Sequence, residues 1–224
     1  MKLLVTWPVG ARGADWPNAC IPYHLAIHEW CIRHDVDCMI MTGYLDENRN
    51  QALLQARHLG YTHVAMLDGD HKHPPDTIER LWGHVLDDPR RWVVAGLNMQ
   101  SGGINRPMMG VHADGKRKTI TKWETPLVTV TWAALCACII NVEVVNLWPQ
   151  PWFWFSYDKR GRWTTEDINF CDKLHERGKT ITVDTTLVSP HRFEDYADLS
   201  TWERNNAVLV GSRAPDPTKE LEDG

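Results

Sequence analysis

The sequence predicts an α/β fold, in which a central sheet of mostly parallel strands is flanked by helices within a single domain. Between residues 1 and 100, short apolar runs alternate with longer segments whose apolar residues recur at helical spacing. Strands and helices that alternate in this way form βαβ units around a parallel sheet. The chain has 224 residues, and this length suits one domain with short extensions.

The first half of the chain carries the βαβ pattern. Gly60 suits the residue after a helix end, and Pro74 with Asp76 suits a helix start. The crossovers between parallel strands should be right-handed. We predict strands over residues 2–7, 36–42, 62–67 and 92–97, and helices over residues 18–34, 47–59 and 74–86.

The second half is less regular. Gly110 and Gly115 interrupt a basic segment, residues 108–122, which predicts a hairpin or a long loop. Gly178 suits the residue after the end of the helix predicted over residues 165–177. We expect a strand, a turn and a strand over residues 127–141, a short helix over 142–147, a helix over 165–177, a strand over 180–183, a last helix over 200–210 and a charged tail over 214–224.

Composition excludes several classes of protein. Hydrophobic residues make up 43% and charged residues 24%, which is typical of globular and not of disordered or fibrous chains. Polar residues interrupt the longest apolar stretch, residues 127–145, and residues 3–9 are too short for a signal peptide. We therefore expect a soluble, cytoplasmic protein without a membrane span. The net charge of −5 argues against a surface coated with nucleic-acid-binding charge, but it allows a local basic groove.

Cysteine and tryptophan are the two residue types that stand out. The 6 cysteines lack CxxC spacing, so we expect buried free thiols rather than a zinc or disulfide framework. There are 12 Trp residues against 5 Tyr and 4 Phe. Many must lie in the core, but the cluster Trp148, Trp152 and Trp154 is dense enough to predict a platform for a sugar or a base.

The segment Asp68-Gly69-Asp70 follows an apolar strand directly. Open α/β sheets bind ligands at the carboxyl ends of their strands. Two carboxylates at this spacing suit Mg²⁺ or Mn²⁺ bound to a diphosphate. An ordinary turn is an equally good explanation of this segment alone. His71 and His73 follow it, and we expect them to be solvated turn residues rather than groups that support a metal site.

Three further elements carry polar side chains. Glu166 and Asp167 open a helix, where acidic residues also favour the helix dipole and Thr165 could act as a cap. His191 follows a strand and is available as a nitrogen ligand. Arg49 and Asn50 could face a phosphate or a base, although a solvated first helical turn explains them as well.

The order of these four elements resembles that of GT-A glycosyltransferases, especially family 2-like enzymes and their small phage-type members. The matching segments are Arg49-Asn50, MLDGDHKHPPDTIERL, TWAALCACIINVEVV, TTEDINFCDKLHERGKTITVD and SPHR. The resemblance spans residues 2–195 and implies a GT-A, Rossmann-like fold. It divides the chain into a catalytic domain over residues 1–195, with a nucleotide-binding half over about 1–100 and an acceptor half over about 101–195, and a C-terminal helix and flexible tail over 196–224.

The resemblance also implies roles for individual residues. Asp167 would be the general base, and Glu166 would orient it or the acceptor. The metal ligands would be Asp68, Asp70 and His191. The donor nucleotide would contact Trp7, Pro8, Val9, Asp46, Arg49, Asn50, Asp68, Gly69 and Asp70, and the acceptor would contact Trp132, Trp152, Trp154 and Trp163.

The sequence departs from the family pattern at two points. Trp132-Ala133-Ala134 stands where the family often has Ala-Gly before the acceptor-side strand. The QxxRW motif of processive synthases and its membrane helices are missing, which favours transfer of one sugar. Residues 157–164 are expected to form a lid that orders when the donor binds.

The resulting expectation is an inverting transferase that uses Mn²⁺ or Mg²⁺ and a UDP- or GDP-sugar, in the host cytoplasm if the chain is phage-encoded. The acceptor would be a glycan or a hydroxymethylated base in DNA. A basic rim for DNA would draw on Arg90, Arg91, Arg106, Lys116, Arg117, Lys118, Lys159, Arg160 and Arg162. A sugar-phosphate nucleotidyltransferase, suggested by the glycines of residues 9–13, and a non-catalytic nucleotide-sugar-binding module are the alternatives. The oligomeric state stays open.

Overall fold

The computed structural model describes residues 1–10, 20–100, 106–157 and 161–190, without the side chains of residues 8–10. Several predictions lie outside the described residues. They concern His191, the side chains of Pro8 and Val9, the helix over residues 200–210, the tail over 214–224, most of the glycine-rich segment 9–13, and residues 158–160 of the expected lid.

The described residues form twelve strands and four α-helices. The strands are β1 (Leu3–Gly10), β2 (Asp37–Gly43), β3 (His63–Leu67), β4 (Val93–Leu97), β5 (Met109–Ala113), β6 (Lys116–Thr119), β7 (Leu127–Val130), β8 (Trp132–Ala133), β9 (Ala137–Asn141), β10 (Ser156–Tyr157), β11 (Trp163–Thr164) and β12 (Ile181–Val188). The helices are α1 (Ile21–Arg33), α2 (Leu45–His58), α3 (Thr77–Asp87) and α4 (Glu166–Glu176), and a short 3₁₀-helix covers Val142–Asn146. Within the described ranges, no helix is long and apolar enough to cross a membrane.

A seven-stranded mixed sheet is the centre of the fold, in the order β2-β1-β3-β9-β4-β12-β7. Strands β2, β1, β3, β4 and β12 run in one direction, and β9 and β7 run against them. Two small antiparallel sheets, β6-β5-β8 and β10-β11, lie outside it. The predicted α/β class with a mostly parallel sheet is confirmed.

Both faces of the middle strands of the central sheet are buried, as β3 and β4 show. Side chains alternate along β3, so Val64 and Met66 join a hydrophobic cluster with residues of α2 and α4. Ala65 and Leu67 join a second cluster with residues of α1 and α3. Helices therefore cover the sheet on its two sides, and polar residues that follow its strands meet at the sheet's edge.

Three details differ from the expectations. Helix α3 begins at Thr77 and not at residue 74, because residues 74–77 form a turn in which the Thr77 N–H bonds the Pro74 carbonyl at 3.0 Å. Strand β12 continues beyond residue 183, where buried Asp184 is paired with Arg80 and His84. The two ends of the expected lid pair as β10 and β11, a strand pair that the sequence did not predict.

The basic segment after residue 108 is a hairpin, one of the two predicted alternatives. Asp114 and Gly115 connect β5 to β6 with φ values of 54° and 69°. Positive φ at both central residues matches the twist of a two-residue hairpin turn. Strand β8 pairs with the other edge of β5 and links the hairpin to the protein body.

Candidate active site

A buried arginine connects the end of β3 to the start of α4. Arg49 on α2 is 1% exposed, and its Nη2 lies 2.7 Å from Asp68 Oδ1. Its Nε lies 3.3 Å from Glu166 Oε1, and its Nη1 donates to the Leu135 carbonyl at 3.1 Å. The guanidinium also lies over the Phe153 ring. We call Arg49, Asp68, Glu166 and Asp167 the charged cluster.

The solvated first helical turn is wrong for Arg49 and Asn50, because neither side chain is exposed and both bond groups of the protein. The Asn50 amide donates to the Asp46 and Phe153 carbonyls at 2.8 and 2.7 Å. Its oxygen accepts from the Trp152 N–H at 2.8 Å. Arg49 and Asn50 therefore hold neighbouring parts of the site in place, and their contact with a phosphate or a base stays a prediction.

The acidic pair of α4 is buried and held at fixed positions. Asp167 Oδ1 accepts from the Ile168 N–H at 2.7 Å and from the Thr165 hydroxyl. The Leu135 N–H lies 3.3 Å from Asp167 Oδ2. Thr165 precedes the helix but makes no capping bond with its side chain, contrary to the capping interpretation. The pair thus belongs to the charged cluster and not to a solvated helix end.

Burial sets the protonation of the charged cluster. Loss of solvation raises the pKa of Glu166 to about 7, against the opposing charge of Arg49, and Asp167 and Asp68 raise it further. Burial also raises the pKa of Asp68, although Arg49 opposes it. Burial alone would lower the pKa of Arg49, but Asp68 and Glu166 raise it, so the guanidinium stays charged. A titrating carboxyl near neutral pH is typical of functional sites.

The loop after β3 is held by two buried histidines. His24 lies 2.9 Å from the Trp7 indole nitrogen, through Nδ1, and 3.0 Å from the Gly69 carbonyl, through Nε2. The indole N–H is a donor and the carbonyl an acceptor, so His24 is protonated on Nε2. His73 Nε2 bonds the Asp68 carbonyl at 2.9 Å, and its Nδ1 bonds the Ser189 hydroxyl at 2.9 Å. These bonds fix the carbonyl groups of the Asp68-Gly69 segment.

Both histidines of this network are neutral. Burial lowers the pKa of His24, and it lowers the pKa of His73 well below its usual value. The expectation of solvated turn histidines is wrong for His71 and His73, which are both buried. They pack ring on ring at 5.7 Å. The nearby prolines were the only sequence signal of a rigid loop at this point.

The structure brings a candidate metal cluster together at the end of β3. One ligand atom each from Asp68, His71 and Cys136 lies within 4.8 Å of the others. His71 Nδ1 bonds Asp70 Oδ1 at 2.9 Å, which is the carboxylate–histidine arrangement that orients metal-binding imidazoles. Burial and the nearby carboxylates raise the pKa of the Cys136 thiol well above its usual value.

This donor set fits a divalent cation only in part. The carboxylate of Asp68 and the imidazole of His71 suit Mn²⁺, whereas a protonated thiol suits neither Mn²⁺ nor Mg²⁺. Asp70, a predicted ligand, is 49% exposed and contacts His71. His71 was missed as a ligand, although its position directly after the DGD segment was a signal. All 6 cysteines are free, as predicted, and Cys38 and Cys136 are only partly buried.

The four predicted acceptor-side tryptophans do not form one platform. Trp152 is buried in the core and donates its indole N–H to the Trp148 carbonyl at 3.0 Å, so neither ring offers a stacking face. Trp154 borders a separate cavity with Lys173 and Arg177. The expected Trp148–Trp152–Trp154 platform is wrong, because the loop that carries it packs inward on Asn50.

Trp132 and Trp163 border another cavity, of about 370 Å³, beside the start of α4. We call it the hairpin cavity, and its lining residues are Arg106, Met108, Arg117, Thr119, Trp132, Trp163, Thr164, Thr165 and Ile168. The other described members of the expected basic rim do not line it. Arg90, for example, is paired with Asp88 at 2.8 Å.

Trp7, a predicted nucleotide contact, lines a third cavity, which lies between β1, β2 and α1. This cavity has a volume of about 390 Å³ and is lined mainly by apolar groups, with His24 and His28 at its border. Asp46, at the start of α2, is partly exposed. Trp7 therefore lines a cavity that Asp46 does not line.

No known protein family and no curated protein matches the sequence. Among solved structures, A197 from STIV is 16% identical, the match covers 85% of both chains, and the TM-score is 0.55. The inositol-1-phosphate CTP transferase from T. maritima is 10% identical over 96% of this chain and 98% of that one, with a TM-score of 0.48. S. aureus TarS 1–349 in complex with UDP-GlcNAc is 13% identical over 94% and 66%, with a TM-score of 0.46.

At such low identities, structural similarity shows a shared fold and nothing more. The comparison rests on A197, which has the highest TM-score of these three structures. The architecture is the α/β arrangement with a mostly parallel central sheet that the sequence predicts, and A197 shares it. The fold leaves the activity to be inferred from the residues at the strand ends.

Proposed function

We propose that the protein is a metal-dependent glycosyltransferase that moves one sugar from a nucleotide sugar to an acceptor hydroxyl with inversion. The observation that carries this proposal is the pair of contacts from Arg49 to Asp68 and Glu166. They join the DGD segment, suited to a metal and a diphosphate, to the acidic pair, suited to proton transfer. A helix cap and a solvated turn would have no need of this link.

Donor binding is assigned to the loop after β3. Asp68 and His71 are placed to hold a divalent cation, with Asp70 orienting His71. We favour Mn²⁺ over Mg²⁺ because one donor is nitrogen. Such a cation stabilises negative charge on a departing nucleoside diphosphate. The bonds from His24 and His73 to the backbone hold this loop in place without using its side chains.

Proton transfer is assigned to Asp167. Its Oδ1 is held by the Ile168 N–H and the Thr165 hydroxyl, whereas its Oδ2 has the longer contact of 3.3 Å to Leu135. Oδ2 is therefore the oxygen that we assign to accept the acceptor's proton. A positioned base of this kind contributes about 10²–10⁴-fold to a rate. Glu166 and Arg49 act as positioning residues.

A nucleotidyltransferase is the second candidate, because the same fold serves that chemistry and a glycine-rich segment follows β1. Such an enzyme would join a nucleoside triphosphate to a sugar phosphate and release pyrophosphate. A non-catalytic binding module is less well supported, because it would have no use for a buried acidic pair. The donor, a UDP- or GDP-sugar, is part of the first proposal.

The products distinguish the two candidates. The protein is incubated with Mn²⁺ and a panel of UDP- and GDP-sugars, and separately with nucleoside triphosphates and sugar phosphates. Release of nucleoside diphosphate that Asp167→Asn abolishes supports the proposal. The matched control is Glu176→Gln, which alters an exposed carboxylate on the same helix that pairs with Lys173 at 2.6 Å. Release of pyrophosphate instead would overturn the proposal in favour of the second candidate.

A further inference from the structure

We propose that the acceptor carries a phosphate group and binds in the hairpin cavity, with its phosphate on Arg106 and Arg117 and a ring on Trp163. This inference rests on the proposed function and names the chemical class of its acceptor. Three observations support it. Two arginines line the cavity, aromatic rings pack against Trp163 at its border, and the cavity lies beside Asp167.

Arg117 on β6 supplies one positive charge to the hairpin cavity. Side chains of a strand point alternately to its two faces, and Arg117 and Thr119 line the cavity while Lys116 and Lys118 do not. Arg117 Nη1 lies 3.9 Å from Asp172 Oδ2, beyond hydrogen-bond distance. Its guanidinium can therefore turn to a ligand without the loss of a strong bond.

Arg106 supplies the second positive charge. Its Nε donates to Gln100 Oε1 at 2.6 Å, which orients the guanidinium. Among the described residues that line the cavity there is no carboxylate. Two guanidinium groups and no acid select an anion, and arginine binds phosphate oxygens through paired N–H donors.

The aromatic side is made by Trp163 and Trp132. Trp163 is 52% exposed, and its ring is backed by Phe155, stacked at 4.9 Å, and by Tyr157, edge-on at 4.8 Å. Trp132 lies across Gly110, where a Cβ atom would approach its indole nitrogen to 2.6 Å. An exposed indole that packs on other rings offers a flat face on which a base or a sugar ring stacks.

The cavity lies next to the proposed base. Thr165 and Ile168, the residues on either side of the Glu166–Asp167 pair, both line it. Its volume of about 370 Å³ is at the lower end for small-ligand pockets and suits one nucleotide or one phosphorylated sugar. A hydroxyl group of such a ligand would be close to Asp167 while its phosphate stays on the hairpin.

The test compares phosphorylated compounds with their unphosphorylated counterparts. Calorimetric titrations of the full chain use thymidine 3′,5′-bisphosphate against thymidine, and glucose 6-phosphate against glucose. We expect at least one phosphorylated compound to bind roughly tenfold or more tightly than its counterpart, as loss of a charge-assisted hydrogen bond predicts. Arg117→Ala and Arg106→Ala should each remove most of this difference. Lys116→Ala, which removes an equal charge from the other face of β6, should retain it.

The compound that binds more tightly identifies the source of the phosphate, a nucleotide or a sugar phosphate, and Trp163→Ala should weaken its binding. Equal binding of phosphorylated and plain compounds would overturn the inference. So would a preference for phosphate that survives in both arginine variants, since the phosphate would then bind elsewhere, for instance at the donor site.

Turnover separates this inference from the proposed function. If the wild-type protein uses a nucleotide sugar, the arginine variants should raise the KM for the phosphorylated acceptor roughly tenfold and leave donor affinity unchanged. An unchanged KM would refute the inference and leave the proposed function standing. If no nucleotide sugar is used, the proposed function fails, and the assignment of the cavity to an acceptor fails with it, even where phosphate binding depends on Arg117.

Discussion

The protein uses arginine in two opposite ways within one edge of the fold. Arg49 is almost fully buried, and the three nitrogens of its guanidinium group contact Asp68, Glu166 and the Leu135 carbonyl. Arg106 and Arg117 are exposed in the hairpin cavity and have weak or single partners. An arginine that is already paired inside the protein thus organises a site, whereas one whose guanidinium has weak partners is available for a ligand.

Solvation explains why these roles are exclusive. Burial of a guanidinium costs several kcal/mol, and only close carboxylates with good geometry offset that cost. Once Arg49 has these partners, any ligand would have to displace them. Arg117 keeps its solvation, and its distant partner Asp172 contributes little. A phosphate therefore gains more from Arg117 than from Arg49.

The largest expected change in stability comes from Arg49→Met, which keeps the side-chain length but removes the charge. Asp68 and Glu166 would be left buried without their counter-charge, and we expect a loss of about 3–5 kcal/mol in the free energy of unfolding. Arg117→Ala should change it by less than about 0.5 kcal/mol. Urea unfolding at constant pH measures both. A loss below about 1 kcal/mol for Arg49→Met would remove the distinction between the two kinds of arginine.

The next effect is a pH dependence that belongs to Glu166. Its pKa is about 7 in the folded protein, above the ordinary value of 4.5, so the folded state binds the proton more tightly. This group's contribution to stability is therefore complete below pH 4.5 and is lost as the pH rises to 7. The loss amounts to about 3 kcal/mol at most.

Glu166→Gln tests this contribution, because glutamine resembles the protonated acid at every pH. Relative to the wild type, the variant should gain stability as the pH is raised from about 5 to 8, measured with a chelator present. Glu176→Gln on the same helix should show no such trend, since that carboxylate is exposed. A constant difference between Glu166→Gln and wild type would show that the buried carboxyl is not the titrating group.

The smallest predicted effect concerns the loop after β3. Ser189→Ala removes the partner of His73 Nδ1 and leaves a buried nitrogen unpaired, so we expect a loss of about 1–3 kcal/mol. Thr119→Val in the hairpin cavity should cost less than about 0.5 kcal/mol. Equal losses in the two variants would mean that the histidine network stabilises the loop no more than a surface hydroxyl does.

Apolar pattern predicted most of the fold. The central strands are apolar on both faces, and glycines and prolines mark the ends of several helices, so β1, β3, β4 and α4 were found close to their observed positions. The hairpin was predicted as one alternative, because Gly115 allows positive φ. The last part of β12 was missed because polar residues such as Asp184 interrupt its apolar pattern. Asp184 is nevertheless buried, because Arg80 and His84 on α3 pair with it.

Sequence pattern singled out Arg49, Asp68, Glu166 and Asp167 as candidates but not their contacts, and it missed His71 and Cys136 of the candidate metal cluster. The sequence shows that Asp68 follows a strand and that Glu166 opens a helix, but the burial of Arg49 depends on partners 19 and 86 residues away. Local pattern carries no signal of such partners. The inward direction of Trp152 likewise depends on Asn50, 102 residues away. The pairing of His71 with its neighbour Asp70 is a side-chain conformation, which residue pattern does not predict either.

Comparing Asp70→Ala with Asp167→Asn is the most direct test, because donor binding is assigned to the loop after β3 and proton transfer to the start of α4. Donor affinity is measured as the rise in melting temperature with Mn²⁺ and a nucleoside diphosphate, which corresponds to about 2.7 kcal/mol at a hundred times the Kd. Asp70→Ala should lose this rise. Asp167→Asn should keep it and lose acceptor-dependent turnover by about 10²–10⁴-fold. An Asp167→Asn variant with normal turnover would contradict the account.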